Sequence, residues 1–279
     1  MKYQILLPTD FSDNAWNATV YALKLFAEEE CTFYLLHSKN EKVSAMANMS
    51  KKYNDVLRSS NLKELTKLKE TVEATNDNPN HTFEIILSAG SLGDSIEAYI
   101  KKYHINLIVM GTKGASGAKG LLFGSNTVGI IGRIKCCPIL AIPDKSDFVP
   151  PKQIAFPTDY NRFYSPTEMG AIKNIAELFN SKINVVHINT EAELTEIQSF
   201  NVKAIKEYMQ DFDHSFHWMP HYAKKATEIN DFVGEHNIDM LAMVSYQHSF
   251  YESLTREPVI KKIGSQLKVP FLIIPESKH

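Results

Sequence analysis

Gln4-Ile5-Leu6-Leu7-Pro8-Thr9-Asp10-Phe11 returns in mid-chain as Gln153-Ile154-Ala155-Phe156-Pro157-Thr158-Asp159-Tyr160. Each copy is a short apolar run stopped by proline and a polar turn, the pattern of a buried strand handing over to a helix. The echo continues in order. Leu35-Leu36-His37 returns as Val185-Val186-His187, Ile105–Met110 as Ile238–Met243, and Cys137–Pro143 as Val269–Pro275. Four matches in one order mark an internal repeat. The 279 residues therefore read as two homologous domains, 1–147 and 148–279, joined near the polar stretch Asp144–Pro151.

Outward from that repeat, apolar runs alternate with helical patterns. Strands are expected at Gln4–Leu7, Thr32–Leu36, Thr82–Leu87, Leu107–Met110 and Ile139–Ile142. The second copy places them at Gln153–Phe156, Ile183–His187, Ser215–Met219, Met240–Val244 and Phe271–Ile274. Between the first two strands, Ala15, Ala18, Ala22, Leu25 and Phe26 recur at helical spacing after Ser12, a candidate N-cap. Val43–Ala74, with Leu57, Leu62, Leu65, Leu68 and Val72, suits one or two helices; Leu92–Lys102 and Ser125–Lys135 suit one each. Strands alternating with helices predict an α/β fold of βαβ units, with a parallel sheet covered on both faces.

Composition narrows the function. Apolar residues make up 44% and charged residues 22%, ordinary for a globular chain, and the net charge of -2 draws it neither to nucleic acid nor to an anionic membrane. Cys31, Cys136 and Cys137 are odd in number and two are adjacent, which argues against a disulfide framework and for a reducing compartment. Met1–Pro8 does not read as a signal peptide, and no apolar run approaches the ~18 residues of a membrane helix. The expectation is a cytoplasmic protein with neither nucleic-acid nor membrane partners.

The segment richest in chemistry follows the fourth strand: Gly111-Thr112-Lys113-Gly114, nine residues, then Gly124-Ser125-Asn126-Thr127. Ligands of open α/β sheets bind beyond the carboxyl ends of the strands. Glycines let a backbone approach a ligand closely, and hydroxyls at a helix N-terminus add donors to its bare N–H groups. This is a candidate phosphate cradle; a plain connecting loop is the alternative for a bare glycine pattern. No Walker A motif occurs, and a dinucleotide fingerprint would follow the first strand, where Pro8-Thr9-Asp10 stands instead.

These residues together resemble the universal stress protein family in a tandem form: Pro8-Thr9-Asp10, Leu35-Leu36-His37, Val109-Met110-Gly111 through Ser125, and the closing Pro138–Pro143 strand. The resemblance covers nearly the whole chain. It implies two tandem doubly wound domains, each with a five-stranded parallel sheet flanked by helices, of the adenine nucleotide alpha hydrolase-like kind. It also implies ATP, with or without magnesium. Gly111, Gly114, Gly124, Ser125, Asn126 and Thr127 would hold the phosphates. Asp10 would sit near the ribose, with Pro8 and Thr9 shaping the pocket. Ser38 would offer backbone groups to the adenine edge, and Met110 and Gly90 would line the site. Asp10 has a second reading, as a cap for the first helix in competition with Ser12 and Asp13.

The second copy departs from this pattern. After Val244 come Ser245–Ser249 and Leu254–Pro258, with no glycine at the places of Gly111, Gly114 and Gly124. Glu257 falls near the place of Ser125, and a carboxylate there would repel phosphate; Ala223 replaces Gly90. Nucleotide is therefore expected in the first domain only. Arg256 and Lys261–Lys262 suit either another anion or a solvated surface.

The remaining candidates are weaker. His214, His217 and His221 are spaced for metal on a helix, but they fall on a strand, so no metal site is assigned. His37 and His187 occupy equivalent strand ends, which suggests a ring nitrogen bonded to backbone. No catalytic residue is assigned: Lys113 and Lys119 could neutralise phosphate, but no general base stands out. Three functions stay open, an ATP-binding stress regulator, an interaction module without nucleotide, and a slow ATP hydrolase. By the family's habit, Ile139–Ile142 and Phe271–Ile274 would pair edge to edge within one chain as a pseudo-dimer, with a homodimer as a further state.

Overall fold

The computed structural model describes residues 2–39, 47–112, 124–144, 146–189, 193–220, 225–245 and 268–277. The apolar runs and helical stripes alternate as the sequence leads one to expect. In chain order they are β1 (Tyr3–Pro8), α1 (Asp13–Leu25), β2 (Cys31–Ser38), α2 (Ala47–Thr75), β3 (His81–Ser88), α3 (Leu92–Tyr103), β4 (Leu107–Gly111), α4 (Ser125–Arg133) and β5 (Ile139–Ile142). The second series is β6 (Gln153–Pro157), α5 (Pro166–Phe179), β7 (Lys182–Asn189), α6 (Glu196–Met209), β8 (His214–Pro220), α7 (Lys225–Glu235), β9 (Met240–Ser245) and β10 (Phe271–Pro275).

All ten strands form one sheet in the order β3-β2-β1-β4-β5-β10-β9-β6-β7-β8. Within each half the strands are parallel. At the centre β5 and β10 run antiparallel, Leu140 opposite Leu272 and Ile139 opposite Ile273. These side chains are apolar and buried, so the pairing covers two edges that would otherwise be sticky.

Because side chains alternate along a strand, neighbours serve opposite faces. Leu7, Phe33, Phe156 and Val185 pack under α1, α2, α5 and α6, whereas Leu6, Ile108, Val186 and Leu241 pack under α3, α4 and α7. Strand order reverses at β1: the chain steps out to β2 and β3, then returns to β4 on β1's other side. A crevice must open above the carboxyl ends of β1 and β4, where the flanking connections part to opposite faces. β6 and β9 repeat that geometry.

Candidate functional site

Leu6 lies opposite Ile108 across β1 and β4, so Pro8 and Met110 end at one level and frame the crevice. The turn after β1 is held from three sides. The Thr9 amide donates to the Leu36 carbonyl at 2.8 Å, and the Thr9 carbonyl lies 2.9 Å from His37 Nδ1. Phe11 adopts a left-handed φ of 63° and lays its ring on His37 at 4.6 Å. A non-glycine residue holds that conformation only where its surroundings insist on it. Asp10 Oδ1 accepts from the Ser12 amide at 3.2 Å and from its hydroxyl at 2.6 Å, while Ser12 caps α1. Ser12 is thus the cap, and Asp10 orients it.

At the ends of β2 and β3, the Ser38 hydroxyl donates to the Gly90 carbonyl at 2.7 Å. It also lies 3.3 Å from Ser95 Oγ, which is 2.7 Å from Ser88 Oγ. These hydroxyls fix the β3–α3 turn beside the crevice. A Cβ on Gly90 would meet Ser95 Oγ at 3.4 Å and Ser88 Oγ at 3.7 Å, ordinary contacts, so space does not demand glycine there.

The β4 end is tighter. Met110 is buried in the layer beneath α3 and α4. A Cβ on Gly111 would lie 2.5 Å from Asn14 Oδ1 and 2.9 Å from the Asn14 carbonyl, both on α1. The first glycine of the pattern therefore makes room for a helix of its own half. The Thr112 amide donates to the Ile142 carbonyl at 3.0 Å, and the Gly124 amide to the Thr112 carbonyl at 2.6 Å. The buried Thr127 hydroxyl donates back to the Gly111 carbonyl at 3.1 Å, with the Thr112 carbonyl at 3.3 Å. It closes the turn from inside, so the one α4 hydroxyl left at the surface is that of exposed Ser125. The buried Thr112 hydroxyl has no hydrogen-bond partner among the described residues.

Electrostatics favour an anion above α4. Its N-cap is Gly124, which offers no side-chain cap, and its first turn holds no acidic residue. Of the other helices, α1, α3, α5, α6 and α7 each carry an acidic first-turn residue, and α2, like α4, carries none. Bare N–H groups with the positive end of the helix dipole suit a phosphate. Gly114, Lys113 and Lys119 lie outside the described residues.

The second half builds the same turn and then diverges. The Thr158 amide donates to the Val186 carbonyl at 2.8 Å, His187 Nδ1 lies 2.9 Å from the Thr158 carbonyl, and Tyr160 has φ 59° with its ring 4.4 Å from His187. Burial holds the His187 pKa below its ordinary value, against the opposing pull of its bond to Thr158. Then Asn161–Tyr164 intervene before Ser165 caps α5. The Thr158 hydroxyl meets the Tyr164 hydroxyl at 2.7 Å, and the Arg162 guanidinium lies 5.1 Å from the Tyr164 ring. Arg162 pairs at 2.7 Å with Glu168, whose side chain is 0% exposed. Glu168 also accepts from the amides of Ser165 and Ser277 at 2.8 and 2.9 Å. Buried Val244 stands where the first half has Gly111. Ala223, His221, residues 246–249, Leu254–Pro258 and Lys261–Lys262 lie outside the described residues.

The Universal stress protein family model matches residues 2–143. The chain belongs to the universal stress protein family. Among solved structures, this universal stress protein is similar to one from Archaeoglobus fulgidus, at 14% identity over 98% of each chain and a TM-score of 0.71. It is also similar to a functionally unknown protein from Pseudomonas aeruginosa, at 12% identity over 98% of this chain and 92% of that one, with a TM-score of 0.60. At these identities the likeness shows the fold, here over both halves. An Archaeoglobus fulgidus universal stress protein in complex with dAMP is similar at 12% identity over 45% of this chain and 99% of that one, with a TM-score of 0.33. No curated protein matches the chain.

Sequence reasoning missed Asn14, Thr112 and the Arg162–Glu168 pair. Asn14 left a trace, a polar residue beginning the otherwise apolar stripe of α1. His214 bonds the Phe212 carbonyl and His217 bonds Ser215, and no group of three or more His, Cys, Asp or Glu among the described residues is placed to hold a metal. Cys31 and Cys137 are buried, and burial pushes the Cys31 thiol up to about 12. No described helix is long and apolar enough to cross a membrane.

Proposed function

We propose that this universal stress protein binds ATP in its N-terminal half only and serves as a regulatory or stress-tolerance factor in the cytoplasm. Residues 1–147 form the nucleotide-binding domain and residues 148–279 a degenerate partner, joined through β5 and β10 as an intramolecular pseudo-dimer. Pro8, Thr9 and Asp10 line the ribose side of the crevice, with Ser38, Gly90 and Met110 toward the base. Gly111, Gly114 and Gly124, with Ser125, Asn126 and Thr127, take the phosphates through backbone N–H groups and the exposed helix start. Magnesium, where present, would accompany the phosphates.

The observation that carries this reading is the contrast at β4 and β9. The first half ends β4 in glycine beneath an uncapped helix without first-turn acid, while the second carries buried Val244 at that register of β9 and a buried Glu168 paired with Arg162 at the start of α5. Mass spectrometry of ligand released from purified protein tests it. Bound adenine nucleotide without turnover is expected, with calorimetric affinity in the micromolar class, about -8 kcal/mol. Absence of binding would leave an interaction module. Metal-dependent turnover lost on changing Asp10 would make the protein a hydrolase.

A further inference from the structure

Asn14 is a buried amide with a specific place. Its Oδ1 and Cγ would lie 2.5 and 2.7 Å from a Cβ on Gly111, and its Nδ2 donates to the Ile142 carbonyl at 3.4 Å. That carbonyl also accepts the Thr112 amide at 3.0 Å. One acceptor at the end of β5 thus receives both the first residue of the glycine turn and the side chain beneath it. Asn14 itself is 5% exposed. A buried carboxamide costs free energy unless its hydrogen bonds are made, so its presence on the apolar stripe of α1 calls for a reason.

The second half supplies the comparison. The C-cap amides of α1 and α5 bond Ala22 and Ala176, and Asn14 and Glu168 stand at the same remove from those alanines. Counterpart for counterpart, the pair Asn14–Gly111 becomes Glu168–Val244. Both polar residues tie the start of their helix to the last strand of their half or the chain just after it, Asn14 through the carbonyl of Ile142, the last residue of β5, and Glu168 through the amide of Ser277, two residues past β10. The chemistry differs. Glu168 is an anion that needs Arg162 beside it, whereas Asn14 is neutral and lies directly under the turn that faces the crevice. A neutral donor fits beneath a site for phosphate; an anion there would oppose the ligand.

We infer that Asn14 is a positioning residue for the phosphate turn: with Gly111 it sets how far the Gly111–Thr112 backbone sits from the crevice, without touching the ligand. This rests on the nucleotide reading above and assigns the residue that holds the phosphate end of that site.

Calorimetry on the full chain with ATP and with adenosine, for wild type, Asn14→Ala and the isosteric Asn14→Asp, tests it, alongside hydrogen exchange of the Thr112 and Gly124 amides in the ligand-free protein. Asn14→Ala should weaken ATP about tenfold, the worth of one hydrogen bond, and leave adenosine unchanged. Asn14→Asp should weaken ATP further, and both variants should speed exchange at Thr112. Unchanged ATP affinity, or an equal loss for ATP and adenosine, would overturn the assignment. If wild type binds neither ligand, the nucleotide reading fails, and exchange at Thr112 decides separately whether Asn14 holds the turn: faster exchange supports it and unaltered exchange sinks it.

Discussion

The two crevices begin from one turn and end as opposites. Above β1 and β6 the chain repeats the same arrangement, a threonine carbonyl on a histidine and an aromatic residue in a left-handed backbone. Above β4 the first half keeps glycine and a bare helix start. In the second half, β9 carries buried Val244 at that register, and the start of α5 pairs Glu168 with Arg162. On the proposed function, the turn kept in both halves serves the fold, and the glycine and bare helix start kept in one serve the ligand.

The sharpest way to break that contrast is at the glycines. Gly114→Val should abolish ATP binding in calorimetry. Gly111→Val should do the same and also destabilise the chain, because its Cβ meets the Asn14 backbone as well as its side chain. Val244→Gly should create no site in the second half, since Glu168 and Arg162 remain. Next in size is the second half's own pair. Glu168→Ala removes the buried carboxylate that pairs with Arg162 and accepts from two amides, and should cost about 3–5 kcal/mol in urea unfolding; ATP affinity should be unaffected.

Acid should act in the same direction on both halves. Burial lowers the pKa of His81 in the first and of His187 in the second, below the ordinary 6.5. Above that value both folded and unfolded chains are neutral at these rings. As pH falls through it, the unfolded chain takes up protons first, so stability declines until the folded rings also titrate. The urea midpoint should fall from pH 7 to about pH 5, and His187→Asn should remove part of that fall. The smallest effect belongs to the caps. Ser12→Ala should cost about 1 kcal/mol. Ser165→Ala should cost more, because Ser165 also forms a capping box and bonds Ser277.

Much of the fold was legible because it rests on local pattern. The strands stand within a residue or two of their apolar runs, Ser12 caps α1, and the two histidines bond backbone as their repeated place suggested. The glycine turn was legible as a feature, but its physical reasons were not. Gly111 answers to Asn14, nearly a hundred positions earlier in the chain, and no local spacing reports such a contact. Thr127 reads as an outward donor until its neighbours are known; folded, it donates to the Gly111 carbonyl. The Arg162–Glu168 pair was hidden for a similar reason: a charge in a loop and one in a helix give no sign that both will be buried together.

Native mass spectrometry of the full chain titrated with ATP tests the central claim most directly. One nucleotide per chain is predicted, lost in Gly114→Val and retained in Glu168→Gln. Two nucleotides per chain, or one that survives Gly114→Val, would contradict it.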